Sequence, residues 1–377
     1  MSMETSAQKR AQVARRLMEQ STKTQHLPCM AGLDGFVDEI IRVIDKKKAD
    51  GSWSSIATIA DFANRIAQAA GLSTNIELRV QTVKLGGNGP IMANALCRFG
   101  FPLTYIGSLG RHEIHPVFRD FVARTTACYS IAEAAFTHAL EFDDGKIMLG
   151  KSQSLDELTF EDIRAVVGDD TLRRLWQESR FIALTNWTMI PHMTDIWLNF
   201  LQHYAPAVAD RPWLFFDLAD PEKRDRQDIR RALEVLSRFQ STCRVILGCN
   251  EKESLELAEI LDIDERERTQ SGTAGRAAAL RARLGIEVVV IHPVKFAAAA
   301  DCQHSVAVDG PFVAAPKIST GAGDHFNAGF CMALVLGMGL EEALYCGTGT
   351  SGYYVRTAES PSLENLAAFL PGWSLPE

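Results

Sequence analysis

The sequence predicts an α/β fold: a mostly parallel central sheet with helices on both faces, and a small second sheet beside it. Short apolar runs recur at residues 27–33, 103–108, 181–184, 213–218, 244–248 and 288–291. They lack the polar-apolar alternation of a half-exposed strand, as strands buried on both faces should. Helical periodicity fills the gaps at 90–99, 194–204, 228–239, 251–261, 274–284 and 326–337, and strands alternating with helices imply parallel pairing. Two β-prone stretches, 75–85 and 128–149, break this rhythm and suit the separate small sheet.

Taken in order, residues 1–25 are polar with a helical pattern and lack the charged start and apolar run of a secretory signal. The first strand runs into Gly32-Leu33-Asp34-Gly35-Phe36-Val37-Asp38-Glu39. Its carboxyl end is where open α/β sheets bind ligands. Carboxylates there accept hydrogen bonds from vicinal hydroxyls, which makes Asp34 and Asp38 sugar-binding candidates, although Asp34-Gly35 also reads as an ordinary turn and Asp38 as a solvated acid. Lys46 to Ser52 is a polar loop, and an extra helix is expected at 56–70. Gly86-Gly87-Asn88-Gly89-Pro90 opens the next helix, with Pro90 in its first turn and Gly100 just past its end. Asp143-Asp144-Gly145 is a hairpin turn between 137–142 and 146–149. Asn250-Glu251-Lys252-Glu253 has the spacing of a helix capping box. In Val290 to Phe296, Lys295 could reach a phosphate and His292 could line a cleft, although a lone His or Lys is more often structural.

The last segment, Ser319-Thr320-Gly321-Ala322-Gly323-Asp324-His325-Phe326, precedes an apolar helix. Small residues let a ligand approach the backbone, and the first N–H groups of a helix are unpaired and favour anions. A carboxylate in such a place either takes a proton from an attacking hydroxyl or merely suits the helix dipole.

Thr-Gly-Ala-Gly-Asp-x-Phe-x-Ala-Gly-Phe, from Thr320 to Phe330, resembles the C-terminal signature of the ribokinase-like (PfkB) carbohydrate kinases. The resemblance implies a ribokinase-like three-layer α/β/α sandwich with a small β lid. It implies a helical extension at 1–26 and a kinase domain at 27–377, with lid segments near 36–50, 75–85 and 128–150. It makes Asp324 the catalytic base and Gly321, Ala322 and Gly323 the anion hole, and it places Gly86, Gly87 and Asn88 against the sugar. The family's sugar-binding aspartate follows the first glycine, a spacing Asp38 fits better than Asp34. Asn250 and Glu253 would organise Mg2+ and phosphate, Glu253 through water. Thr320, Lys295 and Gly352 would meet ATP, Gly352 by close packing of the glycine-rich Gly347 to Gly352 against the base. Three positions depart from the pattern: Ile91 and Ile318 stand where many members have asparagine and an acid, and the late strand lacks the usual glycine-rich turn. The implied reaction is transfer of the γ-phosphate of Mg-ATP to a sugar hydroxyl. A nucleoside or vitamin-alcohol kinase, or a non-catalytic sugar or nucleotide sensor, are the alternatives.

A formal net charge of −8 gives no support for nucleic-acid or anionic-membrane partners. The eight cysteines are scattered without zinc-like spacing, as expected of reduced thiols in a cytoplasmic protein. No stretch has membrane-spanning length, and no Gly-x-x-x-x-Gly-Lys-Ser/Thr loop occurs. An exposed lid edge would favour strand pairing between two copies.

Overall fold

The computed structural model describes residues 5–208 and 210–373. Its strands, in chain order, are β1 (Cys29–Leu33), β2 (Phe36–Lys47), β3 (Trp53–Ser55), β4 (Leu78–Gly86), β5 (Leu103–Gly107), β6 (Ala127–Ser130), β7 (Ala135–Phe142) and β8 (Gly145–Lys151). They continue with β9 (Phe181–Leu184), β10 (Trp213–Asp217), β11 (Arg244–Cys249), β12 (Val288–Ile291), β13 (Phe296–Ala300) and β14 (Ser305–Asp309). A nine-stranded sheet has the order β14-β13-β12-β11-β10-β9-β1-β5-β6. It is parallel from β6 to β12, and β13 and β14 close one edge antiparallel.

Successive side chains of a strand point to opposite faces, and both faces here are core. Leu214 and Phe216 of β10 join one apolar cluster with Trp176, Trp197 and Phe239, whereas Phe215 joins another with Phe99, Phe326 and Phe330. The same split divides Val245 and Leu247 from Ile246 in β11. Burial on both faces explains why the sequence shows unbroken apolar runs, and the expected three-layer α/β/α sandwich is what forms.

The second sheet has the order β3-β2-β7-β8, with β4 on the other side of β2. It has a core of its own, in which Ile41, Val43, Leu140 and Phe142 pack with Ile56 and Phe62. Phe62 belongs to the helix Ile59–Ala67, which lies within the predicted 56–70 and stacks against Phe142 at 5.4 Å. The extra chain therefore backs the small sheet. Residues 128–130, expected with the lid, instead form part of β6 at the edge of the main sheet, because Thr104 to Gly107 pair with Ala127 to Ser130. The N-terminal segment forms a helix at Ser6–Gln20 and packs Val13 and Leu17 into the main core. Among the described residues, no helix is long and apolar enough to cross a membrane.

Candidate active site

Two helix starts meet at the carboxyl end of the main sheet. One is Asn88–Arg98, entered through Gly87 at φ 93°, and the other is Ala322–Val335, entered through Gly321 at φ 90°. Both φ values lie in the left-handed region that glycine occupies without steric cost. Asn88 joins the two starts: its backbone N–H donates to Asp34 Oδ2 at 2.9 Å, and its side-chain amide donates to Asp324 Oδ1 at 3.0 Å.

Asp34 is fully buried, and both its carboxylate oxygens are engaged. Besides Asn88, it accepts from Gly89 N at 2.8 Å and from Asn186 Nδ2 at 2.7 Å. Of the two sugar-binding candidates it is the one that fixes the turn, and burial pushes its carboxyl up to about 6. Asp38 projects from β2 under the small sheet, accepts from the Thr137 hydroxyl, and has its carboxyl raised by burial. Gly86 makes room for it, since a Cβ at Gly86 would lie 2.3 Å from Asp38 Cγ.

Asp38, Gly87, Asn88, Asn186, Gly321 and Asp324 line a cavity of about 450 Å³ beneath the small sheet. A second cavity of about 400 Å³ lies on the other side of the same turn, lined by Asn250, His292, Phe312, Ala322, Gly323 and Gly352 among others. The Gly321 to Asp324 turn is thus a wall between two cavities, with the carboxylate facing one and the amide-bearing Ala322 and Gly323 facing the other. Burial, and after it the charges of Asp217 and Asp34, push the Asp324 carboxyl well above its ordinary range.

The second cavity has mostly apolar walls. Gly352 is held against Pro311, whose Cγ would lie 2.1 Å from a Cβ at that position. His292 packs beneath Gly323, 4.9 Å from the ring of Phe326, and burial lowers its imidazole to about 4, which keeps it neutral. Two residues expected to meet ATP, Lys295 and Thr320, do not line this cavity. Lys295 is 5.2 Å over the Phe312 ring and is not among the lining residues. Thr320 lines the Asp324 side, where its carbonyl accepts from the Tyr354 hydroxyl at 2.9 Å and its own hydroxyl accepts from Lys146 Nζ at 2.9 Å.

Asn250 and Glu253 form the capping box: Glu253 N donates to Asn250 Oδ1 at 2.9 Å and Asn250 N to Glu253 Oε2 at 2.8 Å. Glu253 Oε1 accepts from Asp220 N at 2.8 Å, which ties down a loop with Ala219 and Asp220 at positive φ. Two polar groups escaped the sequence reading. Asp217 ends β10, accepts from Asn327 Nδ2 at 3.1 Å and Ala219 N at 2.8 Å, and is raised to about 8 by burial and then by Glu253. Asn186, at φ 63°, lines the Asp324 cavity with its Oδ1 buried and without a hydrogen-bond partner. Both lie at carboxyl ends of parallel strands, the one signal that could have found them. Among the described residues, Asp34, Asp217, Glu253 and Asp324 take part in no ion pair, and no three His, Cys, Asp or Glu are grouped to chelate a metal.

A family model described as prokaryotic ketohexokinase matches residues 3–373. A ketohexokinase from Haloferax volcanii is 28% identical over 345 residues, covering 91% of this chain and 90% of that protein. Among solved structures, Arabidopsis thaliana ribokinase complexed with ribose and ATP superposes with a TM-score of 0.61 at 16% identity, covering 93% of this chain and 100% of the other. Thermotoga maritima ribokinase gives 0.59 at 17% identity, covering 91% and 98%. A Methanocaldococcus jannaschii nucleoside kinase gives 0.58 at 13% identity, covering 91% and 97%. At these identities the structures establish a shared fold.

Proposed function

Because the chain belongs to the prokaryotic ketohexokinase family, and is thus a sugar kinase with the ribokinase fold, we propose that it transfers the γ-phosphate of Mg-ATP to a hydroxyl of a ketohexose. The sugar lies in the Asp324 cavity and the nucleotide in the apolar one. The observation that carries this reading is the turn at Gly321 to Asp324, which puts a carboxylate on one side of a wall and helix N-terminal amides on the other.

In this mechanism Asp324 takes the proton as the sugar hydroxyl attacks, held in place by the Asn88 amide. The amides of Gly321 and Gly323 stabilise the charge spreading over the transferred group, and the Ala322 amide, which here donates to the Ser319 carbonyl at 3.2 Å, joins them when that turn bond opens. Asp38 and the unpartnered Asn186 Oδ1 receive sugar hydroxyls, and closure of the small sheet as a lid excludes water. Four buried carboxylates outside any ion pair suit a divalent cation. Asp217, and Glu253 through water, would hold magnesium, which keeps most of its waters when few carboxylates are grouped. Bound magnesium supplies charge neutralisation to the phosphates.

A homodimer through the small sheets and a reducing, cytoplasmic setting complete the reading; the eight free cysteines suit the latter.

The test is ATP turnover with magnesium on ketohexoses, aldohexoses, nucleosides and vitamin alcohols, run beside Asp324→Asn. Turnover on ketohexose should fall by about 10²–10⁴-fold in the variant, while calorimetry still detects sugar binding. Turnover confined to a nucleoside or vitamin alcohol would replace the acceptor, and an unaffected variant would remove Asp324 as the base.

A further inference from the structure

The inner face of the lid continues beyond the acceptor cavity. Along β2, Phe36 and Asp38 face that cavity, and Ile40, two residues on, faces a larger one of about 830 Å³. Ile91 and Thr320 line both cavities and form the partition between them, and Lys146 donates to Thr320 Oγ1 at 2.9 Å. The outer cavity is bounded by the lid, the outward side of helix Asn88–Arg98 and the chain end of helix Leu340–Thr357.

Its charge is unlike that of the rest of the molecule. Five cations line it, Lys84, Arg98, Arg124, Lys146 and Lys317, against the two carboxylates of Glu141 and Glu359, in a protein whose formal net charge is −8. Several surface cations elsewhere lie on carboxylates, among them Lys47 on Glu77, Arg180 on Asp210 and Arg231 on Asp195, each at 2.6 Å. Among the described residues, none of the five in the cavity is in an ion pair. Their hydrogen-bond partners are neutral. Arg98 Nε donates to the Ser360 carbonyl at 3.2 Å, and Arg124 donates to Asn94 Oδ1 at 3.2 Å and the Asp120 carbonyl at 2.9 Å. Lys317 donates to the Thr357 carbonyl at 3.1 Å, and Lys146 to the hydroxyls of Thr320 and Ser319. Asn94 in turn donates to Ser360 Oγ at 3.2 Å, so the two guanidinium groups share one polar patch. Lys84 is half-buried on β4, and burial lowers its ammonium; Asp38 and Glu141 attract that charge while Lys146 repels it.

Like charges gathered in a concave site in excess of its carboxylates raise the local concentration of anions. Guanidinium pairs match the planar, bidentate demand of phosphate oxygens, and hydroxyls complete its coordination. We propose that the outer cavity is a second ligand site that takes a phosphate dianion, free or carried on a sugar, gripped by Arg98 and Arg124 with Lys84 and Lys146 at the end nearest the acceptor. The cavity itself stands on the geometry alone; the sugar-borne form of the ligand rests on the kinase reading, because that reaction releases a sugar phosphate next door.

Calorimetry on the full chain without nucleotide tests this, with a ketohexose monophosphate and inorganic phosphate as separate probes. Each is titrated in the presence and absence of saturating ketohexose, into wild type, Arg98→Gln/Arg124→Gln and Asp324→Asn. Wild type and Asp324→Asn should bind at least one probe, ketohexose should not displace it, and the double-arginine variant should bind it at least tenfold more weakly. Tighter binding of the sugar phosphate identifies the organic ligand, and equal or tighter binding of inorganic phosphate identifies the free anion. Loss of binding in the presence of ketohexose, or binding indifferent to the arginines, would place the probe in the acceptor cavity and overturn the proposal, as would no binding of either probe. Both arginines are exposed, and circular dichroism checks that the variant is folded. Kinase turnover, measured separately, keeps a failure of the kinase reading distinct from a failure of this one.

Discussion

Asp324 would be a poor base if its ordinary acidity persisted, because a carboxylate near pH 4 has little drive to take a proton from an alcohol. Burial is the first cause of its raised proton affinity, and the negative charges of Asp217 and Asp34 add to it. A base works only when ionised, so activity should fall as pH drops through this raised value and recover above it. The acid limb of the kcat/KM profile is expected well above about pH 4. Asp217→Asn removes a neighbour that is negative only near and above about pH 8, while leaving an acceptor for Asn327, so it should move to lower pH whatever part of the limb lies there, apart from any loss of rate through magnesium. A limb at the same pH in both proteins would detach Asp217 from the base. Asp324 could be singled out in the sequence because its neighbours along the chain form a pattern. Asp217 offered only its place at a strand's carboxyl end, since what gives it meaning, Asn327, Glu253 and Asp324, is brought close only by folding. For Lys295, sequence position did not fix where the ammonium goes: its stem carries it over the Phe312 ring.

At the scale of elements, strands buried on both faces were legible because continuous β-branched and aromatic runs have few other uses. β13 was not: its Ala297 to Ala300 are all fully buried, yet alanine carries little strand preference and no periodicity reveals it. The glycines of helix Leu340–Thr357, read in the sequence as close-packing positions, stand against Phe326, Leu366 and Pro311. Gly329 lets the preceding helix come within 2.2 Å of Thr350 Oγ1 at the point where a Cβ would stand, and Gly352 does the same toward Pro311. Gly352→Ala should push Pro311 and Phe312 outward and deform the apolar cavity. Overpacking of this kind costs about 1–2 kcal/mol, or roughly a 5- to 30-fold rise in the KM for ATP, with the KM for sugar little changed. Steady-state kinetics with each substrate varied in turn reads the difference. If the rise fell on the sugar instead, the two cavities would have to exchange occupants.

Among the described residues, the lid carries a run of exposed apolar side chains. The lid core is small, and helix Ile59–Ala67 backs only part of the sheet. Leu78, Val80 and Val83 on β4 and Met148 and Leu149 on β8 are all between 44% and 47% exposed. These two strands also end the sheet, each pairing on one side only. Unpaired edges with exposed β-branched and long apolar side chains invite pairing with another copy. Two chains joined through their lids would cover this surface and steady the roof over each acceptor cavity. Wild type should therefore sediment at equilibrium as a two-chain species, and Val80→Lys/Val83→Lys as a single chain that retains its circular dichroism. With its roof loosened, the variant should show a higher KM for sugar than for ATP relative to wild type, because β2 and β7 of the lid carry Asp38 and Thr137 over the acceptor but reach none of the nucleotide cavity's lining. A wild type that sediments as one chain would leave the lid to close on its own, and the exposed side chains of β4 and β8 would then have to be accommodated by that closure.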